Sequence, residues 1–90
     1  MKLMPIKQAQ AKLANATADK GLRSIRLSTF KKDRSLTLRR EGDGWVLDES
    51  GFEESTSPLP SGAAGKRIVK EAFKREFPRS TRAYVAETRV

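Results

Sequence analysis

The chain contains no cysteine and no histidine. Without cysteine it can build neither a disulfide framework nor a thiolate metal site, and nothing ties it to an oxidising compartment. Without histidine it lacks the usual general base near neutral pH and the commonest transition-metal ligand. Catalysis would fall to carboxylates, lysine, tyrosine or hydroxyls, so the expectation is a non-catalytic protein with no cofactor and no metal. Long apolar runs are missing too. None approaches membrane-span length, and the start MKLMPIKQ lacks the apolar core of a signal peptide. The reading is a cytoplasmic protein with no membrane partner. Apolar residues are scarce, 37% of 90 residues with 7% aromatic. The core must be modest, and nearly every large apolar side chain is needed inside it.

Positive charge is what the sequence has in excess. Lys and Arg total 19 against 11 acids, a formal net charge of +8. Such a balance favours an anionic partner, nucleic acid before a membrane surface. The distribution says more than the total. Residues 42–57 hold Asp43, Asp48, Glu49, Glu53 and Glu54 and no base, whereas residues 66–79 hold six bases against two acids. Separate acidic and basic regions can orient the molecule on an anion or pair one copy with another.

The basic region is one amphipathic pattern, Gly65 to Arg79, closed by Pro78. On a helical wheel Ile68, Val69, Ala72, Phe73 and Phe77 fill one half, and Arg67, Lys70, Lys74 and Arg75 the other. Glu76 falls in the apolar arc, in the last turn, from which it is expected to reach solvent. The apolar half needs a surface to cover, and residues 22–50 offer one.

Residues 22–30, 34–41 and 44–50 read as a three-stranded antiparallel meander, with turns at Lys32-Asp33 and Gly42-Asp43-Gly44. Closing the first hairpin at Lys32-Asp33 sets Leu27 opposite Leu38 and Ile25 opposite Arg40. Closing the second at Gly42-Asp43, a type II′ turn, sets Leu38 opposite Leu47 and Arg40 opposite Trp45. One face then carries Ile25, Leu27, Leu36, Leu38, Trp45 and Leu47, with Arg40 laid across the Trp45 ring. The remaining segments flank this unit. Residues 1–21 form an N-terminal arm or a short marginal helix over 5–19 with an Ile6, Ala9, Leu13, Ala16 stripe. Residues 51–61, rich in Ser, Pro and Glu, read as a mobile loop from which Phe52 and Leu59 tuck back. Residues 81–87 read as a fourth strand, added parallel after a β-α-β crossover, or as a short helix. The fold class is α+β, a single domain over residues 22–90.

Two candidate nucleic-acid contact faces follow. Lys66, Arg67, Lys70 and Lys74 line the helix, opposed only by Glu71 and able to meet successive phosphates. Arg26 and Arg39 face each other on the exposed sheet face among Ser24, Ser28, Ser35 and Thr37. Like charges directly opposite need neutralising, by a phosphate or by Glu41 and Asp48 nearby. The stretch Ser61-Gly62-Ala63-Ala64-Gly65-Lys66-Arg67 opens the helix where free N–H groups favour anions, with ordinary initiation capped by Ser61 as the alternative. It is not a P-loop, because two residues rather than four separate its glycines. The carboxylate pairs Asp48-Glu49 and Glu53-Glu54 make no metal or acid–base site, since adjacent strand residues point to opposite faces and the second pair lies on a polar loop. Tyr84 and Trp45 read as core edge.

The order helix, three strands, helix, with a basic cluster opening the second helix, is similar to that of double-stranded-RNA-binding domains. Loop 51–61 and the further strand depart from that pattern. Sheet-based DNA readers with three strands and one packed helix share the topology equally. The functional expectation is therefore a small nucleic-acid-binding module. The alternative is a protein-interaction or assembly module, a homodimer for instance, using an open sheet face or a strand edge.

Overall fold

The structure is a computed structural model that describes residues 2–51 and 53–89. In chain order the elements are β1 (Lys2–Pro5), α1 (Ile6–Ala14), a 3-10 turn (Ala16–Ala18), β2 (Leu22–Ser28) and β3 (Ser35–Glu41), followed by β4 (Gly44–Ser50), β5 (Ser55–Leu59), α2 (Ala63–Glu76) and β6 (Arg82–Arg89). The six strands make one antiparallel sheet in the order β1-β6-β2-β3-β4-β5. Buried residues of both helices join one cluster with the inner sheet residues, so the fold is α+β with both helices on one face.

The second hairpin follows the sequence reading. Leu38 pairs with Leu47 and Arg40 with Trp45, and Gly42 takes φ +60 at the first turn position, as a II′ turn requires. The first hairpin is shifted by two residues. Ile25 faces Leu38 and Leu27 faces Leu36, because the loop is longer than the expected Lys32-Asp33 turn. The Thr29 and Arg34 backbones pair at its base, Lys32 N–H bonds back to the Thr29 carbonyl, and Lys32 adopts φ +62. The Thr29 hydroxyl donates to Asp33 at 2.8 Å and braces the loop. A shift of two preserves the faces, so Ile25, Leu27, Leu36, Leu38 and Leu47 are all buried as expected.

Three flanking segments differ from expectation. Residues 2–5 are a strand rather than part of an arm, with Met4 buried and Pro5 at the entry to α1. The Ala9, Leu13 and Ala16 stripe is the buried one, but the helix ends at Ala14 and a 3-10 turn follows. Within 51–61, Ser55–Leu59 pairs with β4 as the edge strand β5 instead of looping, and Leu59 packs against the core. Phe52 lies outside the described residues.

The strand after α2 also differs from the reading: β6 runs antiparallel, between β1 and β2. The crossover idea holds but starts from β5, not β4. One extra reversal turns the returning strand over, so β6 meets β2 head to tail. Both β1–α1–β2 and β5–α2–β6 return in the direction they left. Right-handed connections of that kind put both helices on the same side. The chain is thus β-α-β-β-β-β-α-β, not helix, three strands, helix, and the double-stranded-RNA-binding topology is not the one adopted.

Glu76 corrects another expectation, because it is buried rather than turned to solvent. It accepts a hydrogen bond from the Glu53 backbone N–H at 3.1 Å. Beside it Glu49, also buried, receives two hydrogen bonds from Arg75, Nε to Oε2 at 3.0 Å and the terminal nitrogen to Oε1 at 2.8 Å. The Arg75 guanidinium, helped by a hydrogen bond with Glu76, holds the Glu49 carboxyl below the usual range against the cost of burial. This pair clamps the last turn of α2 to β4.

Candidate nucleic-acid interface

Helix α2 starts at Ala63 because Gly62 supplies φ +74 and ψ −150, a conformation closed to other residues. No side chain caps it, so Ser61 is not the cap that the sequence offers. Gly65 is inside the first turn and buried against β5. A Cβ there would collide with the Pro60 carbonyl oxygen, so its smallness serves close packing. Of the two glycines in the suspected phosphate cradle, only Gly62 remains at the surface.

Val69, Ala72 and Phe73 turn inward, Phe73 stacking on Phe77 at 5.1 Å, and this fixes what turns outward. Lys66, Arg67, Lys70 and Lys74 are all exposed, and none of them forms an ion pair among the described residues. Lys66, Lys70 and Lys74 stand four residues apart, about 6 Å per step along the axis. One strand of duplex DNA rises about 3.4 Å per phosphate along the duplex axis, so each step of the row, laid along that axis, spans about two phosphates of a strand. Glu71 pairs with neither Arg67 nor Arg75 at ion-pair distance, though its charge adds to what raises the Arg75 pKa, chiefly the Glu49 hydrogen bond. The chain matches no protein-family model, no curated protein and no solved structure. Its surface chemistry therefore carries the functional reading.

The sheet face behaves differently from expectation. Arg26 lies opposite Thr37 and Ala86, and Arg39 opposite Ser24, so the two arginines are diagonal rather than face to face. Arg39 is already neutralised. Its Nε donates to Asp48 at 2.7 Å and a terminal nitrogen to Glu41 at 2.6 Å, and Asp48 also accepts from Thr56. Those bonds raise the Arg39 pKa and lower that of Asp48. Arg26 is exposed and forms no ion pair among the described residues. The structure does not bring this pair together as one phosphate clamp.

Arg40 lies 4.7 Å over the Trp45 ring, as the register implies, and bonds the Leu22 and Asp19 carbonyls. Trp45, Leu13, Val69 and Phe73 line a cleft of about 510 Å³ between the helices and the β3–β4 turn, with Lys66 and Lys70 at its rim. Asp48 and Glu49 point to opposite faces as expected, each with its own arginine. Among the described residues no three acids gather to hold a metal, and no helix is long and apolar enough to cross a membrane.

Sequence reasoning missed an aromatic cluster at the opposite end of the sheet. Phe30 is 53% exposed. Its ring centroid lies 6.1 Å from that of Tyr84, which is half-buried opposite Ser28 on the open face rather than at the core edge. Arg82 lies 4.8 Å over the Phe30 ring and Lys32 4.7 Å over the Tyr84 ring. The alternation of the strand expected over 22–30 places Phe30 on that face, but its neighbour β6 was expected elsewhere.

Proposed function

We propose that this protein is a small non-catalytic module that binds nucleic acid through phosphate contacts made by α2. The observation that carries the reading is the state of its charges. Asp19, Glu41, Asp48, Glu49, Glu53 and Glu87 are taken up in intramolecular ion pairs. Lys66, Arg67, Lys70 and Lys74 are left outward on one rigid helix. A phosphate there displaces only counterions, with no protein carboxylate to be expelled first.

The assembly alternative has weaker support. Both sheet edges are short, β1 with Lys2 and Pro5 and β5 with Pro58, which are the features that keep edges from pairing. A net charge of +8 also opposes self-association.

The test is a binding titration with duplex DNA, duplex RNA and single strands at 50 and 200 mM salt. Four phosphate contacts correspond to a log–log salt slope of about −3.6, or roughly a 100-fold loss of affinity over that interval. Absence of binding to all of them at the lower salt would remove the proposal.

A further inference from the structure

Phe30 borders a hollow of about 590 Å³ between the β2–β3 loop and the α2–β6 connection. Lys31, Arg34, Arg79 and Arg82 line the same hollow, and none of the four forms an ion pair among the described residues. Of its two acids, Glu76 is buried and accepts the Glu53 N–H, whereas Asp33 is exposed and accepts the Thr29 hydroxyl, so the four bases outnumber the acids by two. The hollow therefore presents cations to its contents, beside an aromatic ring that the domain leaves exposed although it is short of apolar core. Arg82 already covers one side of that ring with a flat cation.

We propose that this hollow holds a segment of single-stranded nucleic acid, an unpaired base stacking on Phe30 and its flanking phosphates meeting Arg34, Arg79 and Arg82. Stacking on an aromatic ring needs a base freed from its pair, so this site selects single strands over duplex. The charge of the lining excludes an acidic peptide less well than the ring does. An acidic peptide sets a π-face between two negative charges only where an aromatic side chain stands between acids, whereas a nucleotide chain repeats that pattern at each residue. The inference rests on the nucleic-acid reading above but uses a different surface, at the far end of α2 from Lys66.

The test uses the full chain, a fluorescein-labelled oligothymidine, the same oligomer with abasic positions, and a duplex of equal length. Phe30→Ala is expected to weaken oligothymidine binding about tenfold, the loss of one stacked base, and to leave duplex binding unchanged. Phe30→Trp is expected to keep the affinity and to add an indole fluorescence that the oligomer quenches. The abasic oligomer is expected to bind wild type and Phe30→Ala alike. Phe30 is exposed, and an unchanged thermal melt of Phe30→Ala confirms an intact fold. Equal binding of oligothymidine by wild type and Phe30→Ala, with duplex still bound, overturns this site and leaves the α2 reading standing. Failure of every oligomer to bind overturns both. Loss of duplex binding in Phe30→Ala equal to the loss for oligothymidine overturns the single-strand preference.

Discussion

Replacing Arg75 by alanine is expected to destabilise the fold by about 3 kcal/mol, measured by urea denaturation at pH 7. The Glu49 side chain is 1% exposed and both its oxygens are bonded to Arg75. Removing the cation leaves a buried carboxylate without its counter-charge, which costs more than the intact pair contributes. The figure sits at the low end for buried pairs because the Arg75 side chain is 36% exposed, so water reaches one side. A loss below about 1 kcal/mol, the range of surface pairs, would show that water replaces the guanidinium. The same clamp sets an acid limit. Arg75 holds the folded Glu49 pKa below that of an unfolded glutamate, so the pair contributes fully above about pH 4.3. Its contribution is lost as pH falls through the lower, folded value. Asp48 behaves likewise through Arg39, and Asp33 through Thr29. Stability of the Glu49→Gln variant should therefore fall less steeply than wild type in that acid window.

Reversing two charges on α2, Lys70→Glu with Lys74→Glu, is expected to lower nucleic-acid affinity on the order of 100-fold at 50 mM salt. The melting temperature should change little, since both side chains are exposed and unpaired among the described residues. Replacing the same two by alanine should reduce the magnitude of the salt slope by about two, one per lost phosphate contact. Binding that survives the reversal would move the interface off α2. Single-strand affinity lost only with Phe30 would then place it at the aromatic end.

What could be read in advance follows from which forces are local. The II′ turn at Gly42 and the alternation in β3 and β4 are short-range, and they set Leu38 against Leu47 correctly. The basic row on α2 is legible because helical spacing fixes what the inner Val69 and Phe73 leave outside. The first hairpin went two residues astray because a Thr29 to Asp33 hydrogen bond stabilises a loop that turn statistics do not favour. β5 was hidden by its composition. Ser-Thr-Ser-Pro-Leu has no apolar alternation, and Pro58 is tolerated only because the strand is an edge. That omission reversed the predicted direction of β6. With β6 misplaced, Tyr84 was separated from Phe30, and the cluster they form stayed out of sight. The cage around Arg39 was legible as an alternative, since Glu41 and Asp48 lie close to it in any register that keeps the second turn.

The place of β6 in the sheet also governs the order in which the chain can fold. Strands β2 to β5 pair with sequence neighbours, so their hairpins close over short loops. β1 has no partner except β6, with Lys2 opposite Val85 and Pro5 opposite Arg82. The ladder on that side is a contact between distant stretches of chain, and such contacts slow folding. Pulse-labelled hydrogen exchange should find the amides shared by β3 and β4 protected before those shared by β1 and β6. Simultaneous protection would mean that the meander has no independent existence. On a ribosome the consequence is sharper: β1 waits unpaired, and the near edge of β2 stays open, until residues 82–89 have left the tunnel.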